Sequence, residues 1–292
     1  MFDLETYVKA RSLAEALELL RDNPSSIPIA GGTDVLVRLR EGSRDHRHLV
    51  DIHELAELNF IEKESDGTLR IGAGIPFSRL IEHPLIVENL PILAMGGGWV
   101  GGPQVRNSAT IGGNICNAAP CADSASPLLV LGATAHLDGP KGRRSLPLKA
   151  FFAGPYQVNK GRAEILTHFS IAPENYTGWS GVYIKYTTRG AMDIATIGCG
   201  VNLKLEEDRV EKMRLAYTVA APKPIRCFQT EAAVRGLPAD ASLMEAVASK
   251  VLDDLSPRDS WRASKDFREH IIRELARRTL RQALSGAGGT IQ

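Results

Sequence analysis

Residues 27–36 read IPIAGGTDVL and residues 101–129 read GGPQVRNSATIGGNICNAAPCADSASPLL. The first stretch runs a short apolar strand, Ile27 to Ala30, into the loop Gly31-Gly32-Thr33-Asp34 and then into Val35, Leu36 and Leu39 at the spacing of a turn or short helix. The second contains Thr110-Ile111-Gly112-Gly113-Asn114, a bare glycine pair flanked by two hydrogen-bonding side chains. A loop that offers successive backbone N–H groups to an anion needs residues that tolerate unusual dihedrals and have no side chain in the way. Two such loops in one half of the chain suit a diphosphate. Neither is a P-loop, since no G-x-x-x-x-G-K-[ST] occurs, and no G-x-G-x-x-G opens a helix as in a Rossmann site.

Working outward, 13 of the 27 glycines lie between residues 31 and 113, whereas residues 201–285 hold only Gly236. The two halves therefore have different backbone requirements. Upstream, Ser12-Leu13-Ala14-Glu15 is a capping-box pattern that opens an amphipathic helix over 12–21. Residues 48–52 read as a strand, Asp66-Gly67 joins hairpin strands at 60–64 and 68–74, and Ser78 is expected to cap a helix. Residues 96–127 read as one long loop, followed by an apolar element at 128–131 and a hairpin around 138–142. Beyond about 163 the pattern changes to long strands (164–171, 181–187, 196–205 and 212–220), then helices at 228–235, 241–254 and 260–284, the last closed by Gly286. Sheet followed by helices predicts an α+β chain of two domains, 1–175 and 176–292, divided near Pro173-Glu174-Asn175.

The 292 residues carry 35 Lys+Arg against 34 Asp+Glu, a net charge of +1. With no block of like charge, nucleic acid and anionic membrane surfaces are poor partners. The opening MFDLETYVKA has no basic segment followed by an apolar run, so a cytoplasmic, unprocessed chain is expected. Cys116 and Cys121 have C-x4-C spacing, but Cys199 and Cys227 lie far off, and four irregular cysteines read as buried thiols rather than a metal or disulfide framework. No Ser/His/Asp or Cys/His constellation stands out among the seven histidines, so no catalytic side chain and no metal ligand are assigned.

In order along the chain, IAGGTDVL (29–36), GGPQVRNSATIGGNICNAAPCADSASPLL (101–129), EIL (164–166), YIKYTTRGAMDIATIGCG (183–200) and VAAPKPIRC (219–227) resemble the flavin-binding medium subunits of the molybdenum hydroxylases, the family of xanthine dehydrogenase and carbon monoxide dehydrogenase. The resemblance is nearest to the bacterial xanthine dehydrogenase branch. It implies a vanillyl-alcohol-oxidase-type domain of two α/β lobes with FAD extended between them, then a CO dehydrogenase flavoprotein C-terminal domain. By the same resemblance, Ile27, Pro28 and Ile29 lead into a first diphosphate loop of Ala30, Gly31, Gly32, Thr33 and Asp34. Thr110, Ile111, Gly112, Gly113 and Asn114 form the second. Asp123 meets the sugar or adenine end, Leu166 packs on the adenine side, Lys185 lies at the polar edge of the flavin, and Val100 stands where animal relatives place an aromatic ring.

Three of these, and one neighbouring pair, have a plainer reading. Asp123 caps the helix that follows, Leu166 is core, Lys185 faces solvent, and Arg189 with Asp193 is a surface ion pair. The implied role is electron transfer. A molybdenum-cofactor subunit hydroxylates a purine, a [2Fe-2S] subunit relays electrons, and FAD on this chain passes them to NAD⁺. The alternatives are a stand-alone FAD-dependent reductase, the flavoprotein subunit of another molybdenum hydroxylase such as CO dehydrogenase, and a scaffold whose glycines are only turns.

Overall fold

A computed structural model describes residues 3–288. The first lobe is a parallel sheet in the order β1-β3-β2, made of β1 (Thr6–Lys9), β2 (Ile27–Ile29) and β3 (His48–Asp51), with α1 (Leu13–Asp22) and α2 (Val35–Arg40) as its connections. The expected cap on α1 is present. Ser12 Oγ accepts from Glu15 N at 3.1 Å, and the Glu15 carboxylate turns back to accept from Arg11 N. Ala16 and Leu20 form the buried stripe of α1, packing on Val50, Ile52 and Leu58.

The second lobe is a five-stranded sheet ordered β4-β5-β10-β6-β7, comprising β4 (Ile61–Lys63), β5 (Leu69–Gly72), β6 (Thr134–Gly139), β7 (Gly142–Pro147) and β10 (Ile165–Ile171). Alternation along β10 sends Phe169 and Ile171 into the core and leaves His168 and Ser170 on the opposite face. Between β5 and β6 run six helices: α3 (Phe77–Glu82), α4 (Pro84–Asn89), α5 (Pro91–Gly98), α6 (Pro103–Ser108), α7 (Ile111–Asn117) and α8 (Ala125–Val130). After β7 come α9 (Leu148–Phe151) and the ribbon β8 (Phe152–Gly154) with β9 (Gln157–Val158).

The 96–127 segment is therefore not a loop. Pro91 and Pro103 start helices at the position where a missing N–H costs nothing. The glycines that suggested turns permit close packing instead. A Cβ on Gly96 would lie 2.6 Å from Asp123 O, and one on Gly97 would lie 2.8 Å from the Ile81 side chain. Ser78 is not a cap either: α3 begins after Pro76, whose extended backbone precedes a first turn with no side-chain cap.

The C-terminal unit is an antiparallel sheet in meander order, β11 (Ser180–Tyr186), β12 (Ile197–Glu206), β13 (Arg209–Thr218) and β14 (Ile225–Arg226). Glu207 and Asp208 both have positive φ (47° and 57°) and form the two-residue turn between β12 and β13. The helices α10 (Phe228–Ala233), α11 (Ala241–Lys250) and α12 (Lys265–Gly286) follow, and α12 covers β11 and β12. It starts later than its periodicity suggested because Ser264 caps it, while 260–263 close a tight turn by Ser260 N donating to Ala263 O. Gly286 is the last helical residue and Ala287 follows as the cap. The two cores are not independent, since Tyr183 of β11 and Ala216 of β13 pack into the core of the second lobe.

Candidate functional site

A cleft of about 620 Å³ lies where the two lobes meet the C-terminal sheet. Of the residues singled out from sequence, Pro28, Ala30, Gly31, Gly32, Thr33, Asp34, Val100, Thr110, Gly113, Asn114, Asp123 and Lys185 line it. A side pocket of about 90 Å³ shares Pro28, Ala30, Thr110 and Gly113 with the cleft and adds Gly112 and Leu166. Ile27, Ile29 and Ile111 line neither. Ile29 and Ile111 are core residues, 7% and 0% exposed, and Ile27 is half-buried in β2.

The two glycine loops do different things. In the first, the chain leaves β2 and passes so close to α6 that a Cβ on Gly31 would sit 1.8 Å from Ser108 O; Gly32 follows with φ +72°. Among the described residues, no acceptor takes the N–H groups of Gly31, Gly32, Thr33 or Asp34. These four residues line the cleft with consecutive N–H groups unclaimed, the donor set that a concave anion receptor uses. In the second, every N–H after that of Thr110 is already used. Ile111 N donates to Ile75 O, Gly112 N to Ala73 O, Gly113 N to Thr110 Oγ1 and Asn114 N to Thr110 O, all between 2.9 and 3.0 Å. Gly112 is needed for packing, because its Cβ would meet Ala73 Cβ at 2.5 Å. Gly113 would meet only Thr110 Oγ1, so its bare face is left to the cleft. The second loop thus contributes mainly shape, and the run of unclaimed N–H groups belongs to the first.

At the wall formed by the C-terminal sheet, Asp123 receives two hydrogen bonds. Tyr183 Oη donates to Oδ1 at 2.7 Å and Lys185 Nζ to Oδ2 at 2.8 Å. The Lys185 ammonium also donates to Trp99 O at 3.3 Å and lies 5.7 Å from the Trp99 ring centre. The pair is almost dry, with side-chain exposures of 2% for Lys185 and 8% for Asp123. Burial pushes the Asp123 carboxyl up, opposed by Lys185 and Tyr183. The Tyr183 phenol is held far above its ordinary value by burial and by the Asp123 charge, so it stays a donor.

Three expectations are settled by this cluster. Asp123 does not cap α8, whose N-cap is Ser124 with no side-chain bond. Lys185 does not face solvent. A 2.8 Å separation also puts Asp123 and Lys185 at one point, not at opposite ends of an extended dinucleotide.

Sequence reasoning missed several residues. Arg38 lies 5.4 Å from the Tyr156 ring centre and donates to Asn117 Oδ1 at 2.7 Å, and all three line the cleft. Only Arg38, one helical turn after Asp34, carried a signal. Asp193 is more than half of a surface pair. Its Oδ2 accepts from Thr188 N, Thr188 Oγ1 and Arg189 N, fastening the loop that places Met192 and Ile194 at the rim, and these bonds hold its carboxyl well below the usual range. Cys116 and Cys121 both line the cleft as free thiols, and burial raises Cys116 to about 11. Among the described residues no three His, Cys, Asp or Glu are placed to hold a metal.

Residues 1–173 match the family described as the FAD binding domain in molybdopterin dehydrogenase, and residues 182–283 match the CO dehydrogenase flavoprotein C-terminal domain. The chain belongs to this family of FAD-binding subunits. Its relatives include an Escherichia coli xanthine dehydrogenase FAD-binding subunit, 43% identical over 292 residues and covering all of both chains. The carbon monoxide dehydrogenase medium chain of Hydrogenophaga pseudoflava is 31% identical, over 95% of this chain and 96% of that one. A solved structure of carbon monoxide dehydrogenase from Hydrogenophaga pseudoflava superposes with TM-score 0.92 at 28% identity, over 98% and 99% of the two chains. Quinoline 2-oxidoreductase from Pseudomonas putida 86 also gives 0.92, at 25% identity over 98% and 99%. The two-lobed flavin fold with its C-terminal sheet domain is thereby established, and the chain is a subunit of an oxidoreductase of the molybdenum hydroxylase class.

FAD fits the residues present. Four unclaimed N–H donors, a bare glycine face at 113 and a length of cleft with an apolar side pocket answer a diphosphate flanked by two flat rings.

Proposed function

We propose that this chain is the FAD-carrying electron-transfer subunit of a xanthine dehydrogenase-type complex. In that complex a [2Fe-2S] subunit delivers electrons, a molybdenum-cofactor subunit hydroxylates the purine, and NAD⁺ is the acceptor. The observation that carries the reading is the row of unclaimed N–H groups over Gly31–Asp34, set in a cleft that also contains a buried ammonium. The full-length likeness to a xanthine dehydrogenase FAD-binding subunit supports the choice within the family.

When bound, FAD supplies the exchange of electrons between one-electron and two-electron partners. The chain's own residues then bind and orient it. The 30–34 loop donates to the diphosphate without first giving up other bonds, because the N–H groups of Gly31–Asp34 have no partner among the described residues. Leu166 and the pocket around it exclude water from the adenine side. Lys185, with Asp123 now beside it, meets the polar edge of the flavin, and Val100 packs against the ring without stacking as an aromatic residue would. Residues 1–175 carry most of the site, and 176–292 contribute Lys185 and the rim loop. No side chain is required as a general acid or base. The complex is proposed to work in the cytoplasm, and no helix among the described residues is long and apolar enough to cross a membrane.

Stopped-flow mixing of the photoreduced FAD-loaded chain with NAD⁺ tests the acceptor. Reoxidation by NAD⁺ is expected, and reoxidation only by oxygen or a quinone would refute it. Affinity purification that recovers partner chains with molybdenum and iron tests the assembly.

A further inference from the structure

Lys185 and Asp123 come from different domains, and the group that joins them does not line the cleft and was given no role by the sequence motif in which it stands. Tyr183 sits two residues before Lys185 on β11, so both side chains project from the same face of the strand toward Asp123. Its ring is buried in the core of the second lobe at 4% exposure. Its hydroxyl reaches Asp123 because Gly198 of β12, which pairs with Lys185, has no side chain: a Cβ there would be 2.6 Å from Tyr183 Oη and 2.3 Å from Thr218 Oγ1. Among the described residues the Asp123 carboxylate has two partners only, one neutral donor and one cation. A buried carboxylate held by two donors stays ionised more readily than one held by a single donor. The net charge presented at this wall depends on that ionisation. With Asp123 ionised the pair sums to zero; with Asp123 protonated the wall carries the full charge of Lys185.

We propose that Tyr183 is a positioning residue for the cofactor: by donating to Asp123 from the C-terminal sheet it keeps the Asp123–Lys185 pair charge-separated and neutral overall, and so sets the reduction potential of the bound flavin. The inference rests on the reading of the cleft as an FAD site. Reduction adds negative charge to the flavin, so an uncompensated ammonium nearby favours the reduced form and raises the potential. The titratable groups around Asp123 are Lys185 and Tyr183 on β11, Cys121 two residues ahead of it, and Cys199 on β12 behind Tyr183. Burial raises both thiols, Cys199 to about 11, so near neutral pH they contribute no charge.

The test is the midpoint potential of the FAD-loaded chain as a function of pH from 6 to 9, for the wild type, Tyr183→Phe and Asp123→Asn. Asp123→Asn removes the compensating charge and should raise the potential by an amount equal to at least a tenfold shift toward reduced flavin, about 30 mV for a two-electron couple. Tyr183→Phe keeps the ring and loses the donor. Its curve should rise above the wild type on the acid side and converge with it on the alkaline side. Should Tyr183→Phe not fold, Gly198→Ala displaces the same hydroxyl without touching Asp123 and should give the same acid-side rise. Superposition of the Tyr183→Phe curve, or of the Asp123→Asn curve, on the wild type overturns the proposal. So does a folded Tyr183→Phe chain that no longer holds FAD, which would make Tyr183 a wall of the cleft and not a regulator of charge. A wild-type chain that takes up no FAD would instead sink the reading of the cleft itself.

Discussion

Substituting Gly31 by alanine puts the binding loop to its most direct test. The added Cβ would lie 1.8 Å from Ser108 O, 2.4 Å from Ser108 C and 3.0 Å from Ala109 N, all backbone atoms at the end of α6 that cannot rotate away. Real Cβ contacts essentially never fall below 3.0 Å, so loop and helix must separate by at least 1.2 Å. An N–H···O bond of ordinary length, about 2.9 Å, stretched by that amount is no longer a bond. Gly31 and Gly32 are the donors that move most. Two charge-assisted hydrogen bonds, at about 1.5–3 kcal/mol each, correspond to a loss of about 3–6 kcal/mol in binding. The dissociation constant for FAD should therefore rise by about 10²–10⁴-fold.

The apoprotein should lose only the cost of a local overpacking, about 1–3 kcal/mol, and remain folded. Titration of the apoprotein with FAD, followed by quenching of flavin fluorescence, measures the first quantity, and calorimetry of the apoprotein measures the second. Gly98→Ala is the control. Its Cβ would meet nothing within 4 Å, it lies in α5 outside the cleft, and it should stabilise that helix by about 1 kcal/mol while leaving FAD affinity unchanged. A Gly31→Ala chain that binds FAD within threefold of the wild type would show that the 31–34 N–H groups do not hold the diphosphate.

Asp123→Ala leaves a buried ammonium with only Trp99 O and the Trp99 ring, and breaking a buried pair from one side costs about 3–5 kcal/mol, on the order of 10 °C in apoprotein Tm; a fall of under roughly 2 °C would contradict it. Glu164 is held at about 2 chiefly by Arg144, which it grips through both carboxylate oxygens. A depressed carboxylate adds stability above its ordinary pKa of about 4.5 and loses it as pH falls toward 2, so the Tm gap between wild type and Glu164→Gln should be widest above pH 5 and shrink on acidification. A gap independent of pH would remove Arg144 as the cause. His168 accepts from Arg70 at Nε2 (3.3 Å), contacts Thr167 Oγ1 through Nδ1 and stacks on His136 at 4.1 Å, and burial with those neighbours lowers it to about 3. Its imidazole resonances in long-range ¹H–¹⁵N NMR should show a neutral Nδ1–H ring that does not titrate between pH 8 and 5; a midpoint in that interval would refute the assignment.

Where local chemistry decides the backbone, the chain could be read directly. Ser12 with Glu15 predicted the start of α1, Asp66-Gly67 predicted a hairpin, and the strands read at 181–187, 196–205 and 212–220 predicted the C-terminal sheet, whereas 164–171 joined the second lobe. Gly31 and Gly32 were legible as a loop with free N–H groups because a strand precedes them and a helix follows. Gly96, Gly97 and Gly112 were not legible, because one letter serves two purposes. Glycine permits positive φ, and it also permits close approach, and the atoms approached belong to Asp123, Ile81 and Ala73. Nothing in the neighbouring letters distinguishes a turn from a helix packed at that range.

The site divides along the same line. Sequence by itself determined which backbone can be bare, which residues carry charge and to which family the pattern belongs, since these depend on residue type and short spacing. Only the tertiary structure decided that residues 111–114 of the second glycine loop spend their N–H groups internally, that Asp123 and Lys185 meet at 2.8 Å, and that Tyr183 ties them together across a domain boundary. Those facts depend on which buried polar group finds which partner in three dimensions, and a buried group takes the nearest available donor or acceptor wherever in the chain it originates.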